Sequence, residues 1–147
     1  MAYKTYKGIF RAKNPAKYRG DHTNIVYRSR WELVLMMQLD KHPDVLSWSS
    51  EEVIIPYRSP IDNRYHRYFP DFLVKKRNKD GKIETVLIEV KPKAQTMPPK
   101  KQKQKSKRYI TEVQTWGVNE AKWNAAEEYC KDRKWSFMIM TEDELGV

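Results

Sequence analysis

The sequence has a single cysteine, Cys130, among its 147 residues, and it has no long run of apolar residues. One thiol excludes an internal disulfide and any zinc site built from several thiolates. A membrane-spanning helix needs about 18 or more apolar residues in succession, and no segment approaches that. The first ten residues, MAYKTYKGIF, also lack the apolar segment of a secretory signal. These absences predict a protein that is made and used in a reducing cytoplasm and has no membrane partner.

Positive charge dominates the composition. Lys and Arg number 29 against 19 Asp and Glu, which gives a net charge of +10 and a pI near 9.6. Residues 1–30 hold eight basic residues and one acidic residue, and residues 91–108 hold eight basic and no acidic residues. Such an excess favours a polyanionic partner, since self-repulsion opposes the compact state. Nucleic acid is therefore the first partner to consider, with solubility or an anionic membrane surface as the alternative explanation.

The length of the chain suits one domain. Residues 1–24 contain Pro, Gly and scattered charge without a periodic apolar pattern, which predicts a basic N-terminal arm of irregular structure. Residues 25–147 are predicted to form a single domain. Within it, Pro92, Pro98 and Pro99 stand among lysines and predict a mobile basic loop at about 93–106.

The apolar pattern predicts the order of the elements. Helical spacing starts after Ser29 and stops at the HPD sequence of residues 42–44. Short β-prone runs follow, and the strands YHRYFPDFLVKK and KIETVLIEVKP should pair antiparallel through an Asp80-Gly81 turn. A helix capped by Asn119, a strand WSFMIM and a capped turn TEDEL complete the chain. This order predicts an α/β fold with a mixed central sheet flanked by helices.

Ionisable residues interrupt the apolar runs of the two paired strands. Asp71 lies in FPDFLV and Glu89 in VLIEV, and Lys91 shares a face with Glu89 while Val90 points the opposite way. Two buried carboxylates at close range repel each other unless a cation balances them. Mg²⁺ prefers carboxylate, water and phosphate oxygens, so the pattern predicts a Mg²⁺ site that faces an anionic substrate. The alternative is an exposed cross-strand ion pair that contributes little to stability.

Lys91 and Glu32 are further candidates for chemistry. The Lys91 side chain could hold or deprotonate an attacking water, or neutralise charge that develops on a phosphate, which points to phosphodiester hydrolysis. Glu32 follows Ser29 by three residues, a spacing typical of a capping box. A glutamate in the first turn of a helix that crosses the hairpin could also act as a further metal ligand. Local sequence leaves both roles for Glu32 open.

Nucleic-acid contacts can be predicted from the remaining residues. Tyr65, Tyr68 and Phe69 could stack on unpaired bases, but aromatic residues in strands are more often core, and we predict core positions for them. The lysine-rich segment has no interleaved aromatics, which indicates phosphate contacts without sequence recognition, or a solvated loop with no target. The predicted DNA-binding residues are Arg28, Arg30, Lys93, Lys100, Lys101, Lys103, Lys105, Lys107 and Arg108.

The motifs YFPDF, IEVKP and YRSRWE together resemble those of the PD-(D/E)xK nuclease superfamily. Its most similar branch contains transposon-end nucleases and phage proteins. Over nearly its whole length, from KNPAKYRGD to TEDEL, the chain is similar to the head completion nucleases of T-even-like tailed phages. The resemblance implies a restriction-endonuclease-like core of αβββαβ type.

The resemblance also implies roles for individual residues. It places metal-binding carboxylates at Asp71 and Glu89, the catalytic lysine at Lys91, and the helix acid at Glu32. The backbone carbonyl of Val90 would be a further metal ligand. Mg²⁺ is the implied cofactor, and Mn²⁺ is expected to substitute for it.

A biological task follows from the resemblance. The protein would act on double-stranded DNA at the portal vertex after genome packaging, so that the filled head can accept neck and tail. Its partners would then include portal or neck proteins, and its location would change from the host cytoplasm to the virion head. The alternatives are a non-catalytic head protein that binds DNA and portal, and a transposition or restriction-type endonuclease.

Overall fold

Strands and helices make up most of the computed structural model, which describes residues 7–147. In chain order the elements are β1 (Gly8–Phe10), β2 (Ile25–Tyr27), α1 (Arg30–Lys41), β3 (Val45–Ser50), β4 (Ile55–Arg58), β5 (Tyr65–Tyr68), β6 (Phe72–Arg77), β7 (Ile83–Val90), α2 (Lys107–Arg133), β8 (Ser136–Met140) and α3 (Glu142–Leu145). Two 3₁₀ turns lie at Pro15–Lys17 and Lys93–Thr96. No helix in the described residues is long and apolar enough to cross a membrane.

The central sheet has four strands in the order β3-β6-β7-β8. The pairs β3–β6 and β6–β7 are antiparallel, whereas β8 is parallel to β7. Helix α1 precedes β3, and α2 connects β7 to β8, so the core reads αβββαβ and the predicted fold class is confirmed. The β6–β7 hairpin turns at Gly81, whose φ of +77° suits glycine.

The two faces of the sheet carry different helices. Because neighbouring residues of a strand point to opposite faces, Val86 and Ile88 pack towards α1, whereas Leu87 packs towards α2. On the first face the buried helix residues are Leu35, Met36 and Leu39, and on the second they are Trp123, Ala126 and Cys130. Glu89 has the same parity as Leu87 in β7 and is buried at 7% exposure. The strand thus delivers a carboxylate to the edge of the core.

The first part of the chain packs on this core. Strand β1 pairs antiparallel with β2, and the side chains of Phe10 and Tyr18 are buried. The Tyr18 ring meets Trp48 edge-on at 4.8 Å between centroids, and its hydroxyl accepts the Ser50 N–H at 3.2 Å. In the described residues 7–24 only the strand Gly8–Phe10 and the 3₁₀ turn Pro15–Lys17 are regular, so the basic N-terminal arm over residues 1–24 stays a prediction, with Phe10 and Tyr18 as its buried contacts to the core. Its buried side chains are too widely spaced to show a period, and residues 1–6 lie outside the described residues.

The predicted strand YHRYFPDFLVKK is divided into β5 and β6. Pro70, which has no N–H to donate to a ladder, lies between the two parts. Strand β5 pairs with β4 in a separate two-stranded sheet, whereas β6 enters the central sheet. Only the second half of the predicted strand therefore pairs with β7.

Helix α2 begins earlier than the sequence predicts. Its N-cap is Ser106, whose hydroxyl accepts the Tyr109 N–H at 3.2 Å. Asn119 is buried inside the helix and is not a cap. The segment before α2 has no regular structure beyond Lys93–Thr96, and the mobile basic loop at about 93–106 stays a prediction.

We expect Tyr18→Ala to lower the free energy of unfolding by about 3 kcal/mol, because it leaves a cavity against Trp48 and removes the acceptor for Ser50. Denaturant unfolding followed by tryptophan fluorescence measures the change. Tyr65→Ala is the matched control, since Tyr65 is 74% exposed and its loss should cost less than about 0.5 kcal/mol. Equal effects of the two substitutions would contradict the packing of this segment.

Candidate active site

The predicted catalytic residues meet where β6 begins and β7 ends. Asp71 immediately precedes β6, Glu89 lies in β7, and Lys91 directly follows β7. The register pairs Phe72 with Ile88, which sets Asp71 beside Glu89. The predicted approach of the two carboxylates through the hairpin is therefore confirmed.

Asp71 is held by main-chain hydrogen bonds. Its Oδ2 accepts the Val90 N–H at 2.7 Å, and its own carbonyl accepts the Glu51 N–H at 3.1 Å. Burial, and next the charge of Glu89, hold the pKa of Asp71 well above its usual value, while the Lys91 ammonium opposes the shift. Val90 thus contacts the site through its amide, and the predicted role of its carbonyl stays a prediction.

Glu89 is oriented by a tyrosine from the β4–β5 sheet. The Tyr68 hydroxyl donates a hydrogen bond to Glu89 Oε2, and both side chains are buried. Burial, followed by the charge of Glu89, raises the pKa of Tyr68, so the phenol stays protonated and remains a donor. Tyr68 is a core residue as predicted, and it also fixes the direction of a candidate catalytic carboxylate.

Glu32 lies at the N-terminus of α1 and also beside other acidic residues, so its predicted role as a metal ligand stays a prediction. The Ser29 hydroxyl accepts the Glu32 N–H at 3.1 Å and donates to Glu32 Oε2 at 3.2 Å, so Glu32 does belong to the helix N-terminus. Its carboxylate also reaches the site. Burial, and then the charges of Asp71 and Glu51, raise the pKa of Glu32 to about 7.

Glu51 is the acidic residue that the sequence analysis missed. Carboxylate oxygens of Glu32, Glu51 and Asp71 lie within 4.8 Å of one another. Glu51 directly follows β3 and adopts a left-handed backbone, with φ of +55°. The sequence offers only a weak signal, an acidic pair at residues 51–52 after an apolar strand, which looks like an ordinary solvated turn.

Arg28 balances part of this negative charge. Its Nε and Nη2 donate to the two carboxylate oxygens of Glu51 at 3.1 and 2.9 Å. The Arg28 side chain is 51% exposed, so the ion pair lies at the solvent rim of the cluster. The predicted contact of Arg28 with DNA would therefore be made from the solvent-exposed rim of the cluster.

The donor set suits a hard divalent cation. All the acidic groups offer carboxylate oxygens, the ligand type that Mg²⁺ and Mn²⁺ bind. Burial, and next the charges of neighbouring carboxylates, raise the pKa values of Glu32 and Asp71, so a cation bound beside them would favour their ionised forms. Asp71, Glu32 and Glu51 form a group that could hold the cation, and Glu89 borders it through Asp71. The predicted metal contact of Glu89 stays a prediction.

The predicted DNA-binding residues outside the site are all on the surface. Lys93 forms an ion pair with Asp143 at 3.1 Å, and Arg108 forms one with Glu112 at 3.2 Å. The other positions are also exposed: Arg30, Lys100, Lys101, Lys103, Lys105 and Lys107. Their exposure is compatible with phosphate contacts, which stay predictions.

A mixed αβββαβ sheet with acidic residues and a lysine at the end of its central hairpin defines a nuclease of the restriction-endonuclease-like class. Residues 42–142 match the family described as TnsA-like endonuclease N terminal, and the chain belongs to that family. The chain is 40% identical over 144 residues to the head completion nuclease of Enterobacteria phage T4, a match that covers 95% of this chain and 93% of the relative. Both similarities confirm the resemblance inferred from the motifs.

Proposed function

We propose that this protein is a Mg²⁺-dependent DNA endonuclease that completes phage heads by cutting or trimming DNA at the portal after genome packaging. The observation that carries the proposal is the convergence of Asp71, Glu89 and Lys91 at one end of the β6–β7 hairpin, together with Glu32. The biological task comes from the T4 relative, which is named a head completion nuclease.

The acidic residues would hold the cation and prepare the site before DNA arrives. The Val90 amide fixes Asp71, and the Tyr68 hydroxyl fixes Glu89, so neither carboxylate must reorganise when substrate binds. A bound Mg²⁺ supplies positive charge that polarises the scissile phosphate and favours ionisation of water. Mn²⁺ has the same ligand preference and should replace Mg²⁺.

Lys91 would act on the reacting phosphate or on the attacking water. Its main-chain N–H donates to the Met140 carbonyl at 3.0 Å, which anchors the residue at the end of the sheet. Lys91 is a half-buried residue whose positive charge lowers the pKa of Asp71, so its ammonium would be near enough to hold the attacking water or to neutralise charge in the transition state. Both actions accelerate phosphodiester hydrolysis.

The basic surface would supply affinity for double-stranded DNA without sequence preference. Lysines and arginines of the segment at 93–108, with Arg28 and Arg30, would contact phosphates, and such binding weakens steeply as salt is added. The proposed partners are the portal and neck proteins, first in the host cytoplasm and then at the portal vertex of the virion head. These assignments rest on charge and on the T4 relative.

Cleavage of linear and circular plasmid tests the proposed activity. Wild-type protein should cut in Mg²⁺ or Mn²⁺ and stop cutting in EDTA, because the carboxylates need a cation. Glu89→Ala should not cut, whereas Glu84→Ala, on the same strand but in a surface ion pair with Lys76, should cut normally. Cutting by Glu89→Ala, or none by the folded wild type with its portal partner present, would exclude this site as the catalytic centre.

A further inference from the structure

The β4–β5 sheet has one buried and one exposed face. Its register sets Ile55 opposite Tyr68 and Tyr57 opposite His66. Ile55, Tyr57 and Tyr68 are buried and pack in the cluster beneath α2. Since side chains alternate along a strand, the intervening residues of both strands point outwards.

Two aromatic rings lie on or beside that outer face. Tyr65 is 74% exposed and Phe69, directly after β5, is 41% exposed. The sequence-based prediction that these rings belong to the core is therefore wrong for Tyr65 and Phe69 and correct for Tyr68. Single exposed apolar residues are common, but two exposed aromatic residues within five positions are candidates for contact with a partner.

Arginines alternate with these rings. Arg58 stands opposite Tyr65 in the register, and the Arg67 guanidinium lies 5.8 Å from the centroid of the Phe69 ring. Arg64 is exposed at the turn before β5. The nearby acidic residue, Asp62, accepts a hydrogen bond from the Arg64 N–H at 3.0 Å and contacts His66 Nε2 at 2.7 Å, so its charge is engaged locally. The outer face thus combines exposed aromatic rings with positive charge.

The face is close to the candidate active site along the chain. Tyr65, Arg67, Phe69 and Asp71 occupy alternate positions, and an extended chain advances at most about 3.6 Å per residue. Phe69 is thus within roughly 7 Å of Asp71 along the chain, and Tyr65 within roughly 22 Å. The sheet is fixed beneath by Lys122 of α2, whose ammonium lies 5.7 and 5.6 Å from the ring centroids of Tyr57 and Tyr68.

We propose that this aromatic face, formed by Arg58, Tyr65, Arg67 and Phe69, binds an unpaired DNA strand next to the phosphate that is cut. The rings stack on bases and the arginines contact the adjoining phosphates, as single-strand-binding surfaces do. Bases inside a duplex are already stacked on each other, so exposed rings favour frayed ends, overhangs and flaps. This inference rests on the proposed nuclease function for its substrate, but the binding itself requires no cleavage.

Binding of fluorescent DNA in EDTA tests the proposal. The probes are one blunt duplex and two duplexes of the same sequence with 5′ or 3′ single-stranded overhangs. Wild-type protein should bind at least one overhang more tightly than the blunt end. The double substitution Tyr65→Ala with Phe69→Ala should weaken that binding by about tenfold or more, and should change the blunt-duplex affinity by less than about twofold.

Two controls separate stacking from general effects. Tyr65→Phe keeps the ring and should bind like the wild type, and Ile83→Ala removes an apolar group that is 56% exposed at the far end of the β7 strand. A 2-aminopurine base placed in the overhang gives a separate measurement that needs only the wild-type protein, because stacking of this base against a side chain changes its fluorescence. Equal affinity for all three probes, or equal losses on them, would overturn the proposal.

The two proposals fail in different ways. If the protein prefers overhangs but shows no metal-dependent cleavage, the nuclease function is wrong and the aromatic face remains a DNA-binding surface. Normal cleavage without overhang preference would remove the aromatic face and leave the nuclease intact.

Discussion

Replacement of Lys91 by methionine should lower the rate of DNA cleavage by about 10²- to 10⁴-fold, the range typical for loss of a general base or of a charge-stabilising group. Methionine preserves most of the aliphatic stem and removes the ammonium. The main-chain hydrogen bond to Met140 does not involve the side chain, so the end of β7 should keep its place. Single-turnover cleavage with saturating protein isolates the chemical step from DNA affinity.

Lys93→Met is the matched control for this experiment. Lys93 lies two residues further along the chain, is exposed, and forms a surface ion pair with Asp143. Both variants remove one positive charge, so both should weaken DNA binding slightly at low salt. A comparable loss of cleavage in Lys93→Met would show that general charge, and not the position of Lys91, sets the rate.

The placement of Asp71, Glu89 and Lys91 was predictable because local signals determine it. An Asp-Gly turn joins two β-prone runs, and the two-residue period then fixes which side chains share a face. The Ser29 cap of α1 is equally local, since it depends on a spacing of three residues. Turns, caps and strand faces depend on residues that are close in the sequence, so they can be predicted from a single sequence.

Glu51 and Tyr18 could not be predicted, because their roles depend on contacts distant in the sequence. Glu51 reaches Asp71 and Glu32 only after β3 has paired with β6. Tyr18 is buried through Trp48, 30 positions away, and stands in a segment whose Pro, Gly and charges suggest a loop. Tertiary packing in both cases overrides what local composition indicates.

The exposed rings of Tyr65 and Phe69 illustrate a different error. The prediction of core positions follows the average behaviour of aromatics in strands, and it holds for Tyr68. It fails where β5 pairs with β4 outside the central sheet, because no element of residues 7–147 covers the outer face of that two-stranded sheet. Departures from average burial beside a catalytic site are the places where substrate contacts are expected.

The metal-free protein should lose stability as the pH rises from about 4.5 to about 7. The pKa of Glu32 is about 7 in the folded protein and near 4.5 when unfolded, and that of Asp71 is raised in the same direction. A carboxyl with a raised folded pKa binds its proton more tightly in the folded state. The stabilisation of the folded state by this proton is complete below the unfolded pKa and is lost as the pH passes the folded pKa. For Glu32 the loss in the free energy of unfolding is on the order of 2 to 3 kcal/mol.

Mg²⁺ should reverse this loss, because a cation that binds the ionised carboxylates takes the place of the protons. The rise in Tm on addition of Mg²⁺ should therefore be larger at about pH 8 than at about pH 5, where protons compete for the same oxygens. Glu32→Gln should flatten the pH dependence of the metal-free protein and reduce the Mg²⁺ effect. Glu84→Gln, in a surface ion pair with Lys76, should leave both unchanged. A Mg²⁺ effect that is independent of pH and of Glu32 would place the cation elsewhere on the protein.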